Sequence, residues 1–402
     1  MTTRTKFTRA ECNAILADLD QRIERMAVDP SVPERDDGEW NAIRSLVREG
    51  AHANDMEGVP EVPFEDEWYG ALIDRRVPPE RWGELRRAVL NVHMPPPSGS
   101  FTAGAGRSAD PSAWDDYLID GDDALLANLP GYGDAGSIAA WERLATIDAF
   151  ARPWPGAARA TGADGLRAIH AHVFGEVFAW AGRERTVPMG KGRSRFAPPG
   201  KIGPRLDALF DQIGAALDPK LAPEGEALVG RDGDALPVAT FADRLAPLLA
   251  ELNAIHPFRE GNGRTQRAMM GQVARRAGHT IDWRATTGER MVCASIAAGA
   301  NDTNGGDPDP LARLITDCTD PSMARRLSVL IEAFGRSYAT PQVHGMVFRS
   351  VRPGETIKGR MAIAGAPFAA VIKGASGDVV IGERAALSDP DAAMGESVTL
   401  AG

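Results

Sequence analysis

Residues 256–267, HPFREGNGRTQR, constrain the fold more than any other stretch of the 402-residue chain. Upstream, Phe241, Leu245, Leu248, Leu249, Leu252 and Ile255 recur at spacings of three and four, one face of an amphipathic helix. That helix runs into a turn containing Gly261 and Gly263, and a second helix follows as far as Gly278, a C-cap residue. Two glycines around Asn262 at a helix start leave several backbone N–H groups open and let a ligand approach closely, which makes an anion-binding nest suited to phosphate. Arg264 and Arg267, three apart, share a helix face and can each offer a guanidinium fork to successive phosphates of one chain. Glu260 precedes the nest and is placed to hold Mg2+. His256, about one turn away, is suited to take a proton from an incoming hydroxyl.

The rest of the chain reads as mainly helical. Ile15, Leu16, Leu19, Ile23 and Met26 give a helix over about 8–26, and a second spans about 39–56, stopped by Gly58 and Pro60. Residues 66–73 and 79–92 form a helical hairpin, with Pro78 and Pro79 opening its second arm. The resulting division is a helical module over 1–94, a linker over 95–113, a helical core over 114–320 and an extension over 321–402. In the core, apolar stripes run over 163–180, 204–217, 240–255 and 265–277. Between the first two lies TVPMGKGRSRFAPPGK, whose glycines, prolines and basic residues predict an exposed hairpin or flap. After Pro341, short β-prone runs with glycine breaks predict a small five-stranded β module.

Charge and cysteine usage narrow the function classes. Lys and Arg total 45 against 55 Asp and Glu, so the formal charge of −10 argues against broad nucleic-acid binding. Cys12, Cys293 and Cys318 are odd in number and have no metal-ligand spacing, which predicts a reducing compartment. The opening MTTRTKFTRAEC has no apolar signal region, and no run approaches the roughly 18 apolar residues of a membrane span. The expectation is a cytoplasmic protein without a membrane partner, with export as an effector left open. His170, His172 and His279 read as structural residues, and Trp68, Trp82 and Trp180 as core.

The motif also carries a resemblance. His256, Phe258, Glu260, Gly261, Asn262, Gly263, Arg264 and Arg267 match the HxFx(D/E)GNGRxxR signature of the Fic family position by position. LRAIHAHVFGEVFAWAGRERTV, GKGRSRFAPP and AELNAIHPF extend the likeness over about 114–320, to the Fic domains of bacterial toxin–antitoxin and secreted-effector proteins. The resemblance implies a protein adenylyltransferase that moves AMP from ATP to a hydroxyl of a target protein, with ATP as substrate and Mg2+ as cofactor. It implies His256 as general base, Glu260 as metal ligand, Gly261, Asn262 and Gly263 as the α-phosphate cradle, and Arg264 and Arg267 on the β and γ phosphates. Lys191, Gly192, Arg193, Ser194, Arg195 and Phe196 would be the flap that docks the target by strand-like pairing. Gly263 favours nucleotidyl transfer, because the phosphotransferring Doc branch resembles this motif with lysine there. The C-terminal strands resemble the OB-like extension that follows some Fic domains.

A second resemblance lies upstream. HANDMEGVPEVPFEDEWYGALIDRRVPPERWGELRRAVL is similar to the small antitoxin that represses Fic toxins, with an inhibitory turn followed by a helical hairpin. It implies that Glu57 pairs with Arg267 and blocks productive γ-phosphate binding, an intramolecular antitoxin-like module. The sequence departs from the (S/T)xxxE(G/N) pattern at Ala53, and SLVREG offers a literal rival with Ser45 and Glu49. Two other readings stand beside the autoinhibited adenylyltransferase: a nucleotide-binding adaptor with negligible catalysis, and an enzyme using another nucleotide donor.

Overall fold

The computed structural model describes residues 7–26, 34–95, 111–119, 124–191, 194–299, 307–365, 368–373 and 377–402. Most of the expected linker, and Gly192 and Arg193 of the expected flap, lie outside these. Helices α1 (Arg9–Arg25), α2 (Asp37–Asp55), α3 (Glu65–Asp74) and α4 (Pro79–His93) build the N-terminal region. Thr8 with Glu11 and Asp36 with Glu39 form capping boxes that start α1 and α2. Pro79 occupies the first turn of α4, where its missing N–H costs nothing.

The next helix, α5 (Ala135–Ala151), is buried on every side from Ala140 to Ala151. Such a helix shows no apolar stripe, which is why periodicity does not reveal it. Around it lie α6 (Ala163–Phe174), the hairpin strands β1 (Gly190–Lys191) and β2 (Ser194–Arg195), α7 (Pro199–Ala216), α8 (Val238–Ile255) and α9 (Asn262–Arg276). The expected flap is thus an antiparallel pair, with Gly190 opposite Arg195. Helices α10 (Gly288–Ala297), α11 (Asp309–Thr319), α12 (Pro321–Gly335) and α13 (Thr340–His344) follow.

Five strands close the chain: β3 (Phe348–Ser350), β4 (Thr356–Gly365), β5 (Phe368–Lys373), β6 (Asp378–Glu383) and β7 (Ser397–Ala401). Their order is β3-β6-β5-β4-β7, with β3 and β6 parallel and the other pairs antiparallel. The segment between β3 and β4 joins the two ends of that order. Val351 N–H donates to the Ile381 carbonyl at 2.9 Å, and Gly354 N–H to the Gly402 carbonyl at 3.1 Å. The module is therefore a small, partly open barrel with its own core of Ile357, Met361, Val371, Val380 and Leu400. The larger core is one contact cluster of residues between Ile15 and Ile381.

The N-terminal helices are fastened to α5 by buried ion pairs. Arg143 takes Asp55 at 2.7 Å and Glu65 at 2.9 Å, while Arg86 pairs with Asp148 and Glu176. Tyr69 adds its hydroxyl to Asp148 at 3.0 Å. Helices α2 and α5 approach closely because residue 50 is glycine: a Cβ there would lie 3.1 Å from the Ile147 Cα and 3.2 Å from the Phe150 Cβ. Behind the motif loop, fully buried His170 accepts the Gly182 N–H on Nδ1 at 2.7 Å. Its Nε2–H donates to the Glu260 carbonyl at 3.0 Å, and the ring stacks on Phe258 at 3.9 Å.

This packing makes Gly50 and His170 testable. Gly50→Val should lower the unfolding free energy by about 1–3 kcal/mol through overpacking, whereas Gly50→Ala should be nearly neutral, since about 1 kcal/mol of helix propensity offsets the tight contact. Equal stability of the two variants in urea unfolding would rule this out. Burial lowers the His170 pKa to about 3 against an ordinary 6.5, so the unfolded chain takes up the proton first as pH falls. The associated stability is complete above pH 6.5 and is lost progressively as pH drops toward 3. From pH 7 to 5 this residue should account for about 2 kcal/mol. His170→Gln should flatten that part of the stability profile, and an unchanged pH 7-to-5 drop in the variant would contradict the assignment.

Candidate active site

At the end of α8, His256 adopts a left-handed conformation (φ 48°, ψ 66°), a strained state for a non-glycine residue of roughly 1–3 kcal/mol. Buried Arg185 holds it there. The guanidinium donates from Nε to the His256 carbonyl at 2.8 Å, from Nη1 to Val187 at 2.7 Å and from Nη2 to Ile255 at 3.2 Å. The Arg185 backbone N–H adds a bond to the Pro257 carbonyl at 2.8 Å. The imidazole of His256 lies flat on Phe196, with ring centroids 3.7 Å apart and planes 3° from parallel. Phe196 follows β2, and Ala197 N–H donates to the Ala254 carbonyl at 3.1 Å, so the hairpin is hooked to the end of α8.

The loop between α8 and α9 is pinned from within. Asn262 accepts the Phe258 N–H on Oδ1 at 2.9 Å and donates from Nδ2 to the Phe258 carbonyl at 2.7 Å. Its side chain thus shapes the loop, and its backbone is what remains for a ligand. Gly261 has φ 80°, and a Cβ there would sit 2.3 Å from the Phe174 ring, so both conformation and space require glycine. The first N–H to reach back along α9 is that of Thr265, to the Gly261 carbonyl at 3.1 Å. The N–H groups of Asn262, Gly263 and Arg264 precede it and make the cradle expected at a helix start.

Both motif arginines are buried and engaged by α2 and the turn after it. Arg267, 6% exposed, pairs through Nη1 with Glu57 Oε1 at 2.8 Å and donates from Nη2 to the Ala53 carbonyl at 3.2 Å. The Glu57 carboxylate lies against the first turn of α9: a Cβ on Gly263 would fall 2.0 Å from its Oε1. Arg264 donates from Nη1 to Asn54 Oδ1 at 2.8 Å and from Nη2 to Glu142 Oε1 at 2.6 Å, with its guanidinium 4.6 Å from the Phe174 ring centre. Asn54 is itself tied to α5 through Thr146 at 2.9 Å. Glu49, the rival acid, is elsewhere: its charged neighbours are Arg275, Arg284 and Asp282, and burial raises its pKa.

Glu260 keeps 43% of its side chain exposed and accepts the Gly261 N–H on Oε1 at 2.9 Å. Burial raises its pKa, opposed by Arg264 3.8 Å away and reinforced by Glu142 and Glu57. A half-exposed carboxylate with one oxygen committed at a helix start has the hard-oxygen chemistry that Mg2+ requires, so the donor set fits that ion. The structure therefore gathers His256, Glu260, Gly261, Asn262, Gly263, Arg264, Arg267 and Glu57 around one helix start. Lys191 and Ser194 pair in the hairpin backbone, with Arg195 and Phe196 continuing it. Asn54, Glu142 and Arg185 also serve this site and carry no local sequence signal, because each acts through a contact distant in the chain.

Comparison with known proteins fits this geometry. A family model for the Fic/DOC family matches residues 161–274. Protein adenylyltransferase VbhT of Bartonella schoenbuchensis is 32% identical over 219 residues, 53% of this chain and 41% of its own length. The probable protein adenylyltransferase y4lH of Sinorhizobium fredii is 36% identical over 146 residues, 36% of this chain and 67% of its own. The chain thus spans less than half of the first relative and two thirds of the second. Among solved structures, the type IV secretion system effector protein BepA superposes with a TM-score of 0.58 at 23% identity, over 71% of this chain and 95% of its own, a likeness of fold. With the motif assembled at the start of α9 and two thirds of a relative matched at 36% identity, the chain belongs to the Fic/DOC family.

Proposed function

We propose that this chain is a protein adenylyltransferase that its own N-terminal helices hold in check. The observation that carries the reading is the convergence of His256, Glu260, the Gly261–Gly263 turn and two arginines on one helix start. In the reaction, His256 takes the proton of the target hydroxyl, whose oxygen then attacks the α-phosphorus of ATP. An O–P bond to the target forms, the bond to the β-phosphate oxygen breaks, and pyrophosphate leaves. The backbone N–H groups of α9 hold the α-phosphate oxygens, where charge develops. Arg264 and Arg267 orient the β and γ phosphates. Glu260 would hold Mg2+, which when bound neutralises phosphate charge. The β1–β2 hairpin would pair with an extended segment of the target and deliver its hydroxyl beside Phe196 and His256.

The resting pair of Glu57 and Arg267 supports the control part of the reading. While that guanidinium holds a carboxylate it does not hold the γ-phosphate, and ATP then lies with its α-phosphorus misaligned. A displacement of about 1 Å can cost on the order of 10²-fold in rate.

With α-labelled ATP, Mg2+ and a cell extract, His256→Ala should lose about 10²–10⁴-fold in label transfer while nucleotide binding persists. Label transfer by this variant at the parent rate would remove His256 from the mechanism. A chain that binds ATP yet labels nothing under any derepressing substitution would favour the adaptor reading. Glu57→Gly should raise labelling by roughly 10–10²-fold, whereas Glu49→Gly should leave it unchanged. Arg267→Ala should be inactive even alongside Glu57→Gly, because the arginine is needed to align phosphate. Activation by Glu49→Gly alone would instead assign control to the Ser45 motif.

A further inference from the structure

Behind the Glu57 turn, α2 and α13 bring together three side chains that the transfer chemistry does not use. We propose that His52, Asp55 and His344 form a binding site for a divalent transition-metal ion of the zinc class. One donor atom from each lies within 4.8 Å of the other two, and the imidazole centres are 5.0 Å apart. His52 and Asp55 are three apart on α2 and so share a face, while His344 ends α13 and reaches them from the far end of the chain. Two imidazoles and one carboxylate are borderline-soft donors of the kind zinc-like ions take, with room for water as a further ligand.

Three further observations point to a cation. The Nε2 of His52 faces the Thr286 carbonyl at 3.0 Å. A carbonyl only accepts, so this nitrogen carries the hydrogen and Nδ1 keeps its lone pair, which is how metal-bound imidazoles are oriented from behind. The contact of His344 Nδ1 with the Gly288 N–H is long, at 3.4 Å, and yields to a metal ion at little cost. The surrounding charge is also unbalanced. Asp55, Glu57, Glu61 and Glu65 outnumber Arg143, Arg264 and Arg267 by one negative charge.

Such an ion would staple α2 to α13 two residues before Glu57. That consequence rests on the proposed latch, whereas the metal site itself does not, so the test reads metal binding directly. The full chain, freed of metal by a chelator, is titrated with Co2+ while visible absorption is followed, and its thermal midpoint is measured with and without Zn2+. The intense bands of four- or five-coordinate Co2+ and a rise in midpoint with Zn2+ are expected. His344→Ala should weaken Co2+ binding at least tenfold and abolish the thermal shift. His344→Gln, which keeps a polar group of similar reach and preserves packing, should do the same, while His279→Ala should behave as the parent. A parent spectrum showing only the weak bands of octahedral aqua-Co2+, or unchanged binding in both folded His344 variants, would overturn the site.

Discussion

The backbone N–H groups that open α9 cannot be satisfied by their own helix, and the site is built around that deficit. Gly261 turns the chain left-handed against the Phe174 ring, and Asn262 ties the loop to Phe258, so the three donors are aimed in advance of a ligand. A helix start of this kind attracts negative charge through both its free donors and its dipole. In the resting chain the nearby negative charge is the Glu57 carboxylate, and in the proposed reaction it is a phosphate. In the proposed function, one geometric feature therefore serves both catalysis and its restraint.

Burying two arginines beside that helix start imposes a second requirement. An unpaired guanidinium in the interior costs several kcal/mol, so each needs partners in every state the protein occupies. Arg264 has Glu142 from α5 and Asn54 from α2, and Arg267 has Glu57 and the Ala53 carbonyl. Docking of the N-terminal helices thus satisfies Arg267 and shares Arg264 with α5. Arg143 and Arg86, each clamped between carboxylates, hold those helices in place, and Gly50 lets α2 come close enough to reach.

Part of this arrangement is legible in local pattern alone. The helix–turn–helix of the motif, the capping residues of α1 and α2, and the five β-prone runs are all written in spacing over a few residues. Helix α5 is not, because burial on every side erases the stripe that marks a helix. Arg185 looks like any other basic residue until its four carbonyl partners come together from two parts of the chain. The choice between Glu49 and Glu57 turns on position along α2. Glu49 lies within the helix, six residues or about 9 Å of rise before its end, beside Arg275 and Arg284, whereas Glu57 sits in the turn beyond it, at the start of α9.

Ala53 removes a hydroxyl from the inhibitory pattern, yet the contacts at that level of α2 persist by other means. The Ala53 carbonyl takes Arg267, and fully buried Asn54 takes Arg264 while bonding Thr146 on α5. These contacts belong to the body of α2, which cannot leave without breaking the Arg143 clamps. Glu57 differs in kind. It follows the last turn of α2, its N–H bonds the Asn54 carbonyl, Gly58 beyond it turns left-handed, and 31% of its side chain meets solvent. A partly exposed carboxylate on a turn can swing away from Arg267 while the helix stays docked and Arg264 stays paired. In the proposed latch the release step is therefore a local movement of one turn rather than departure of the N-terminal helices, and it frees Arg267 from Glu57 while Arg264 keeps Glu142 and Asn54.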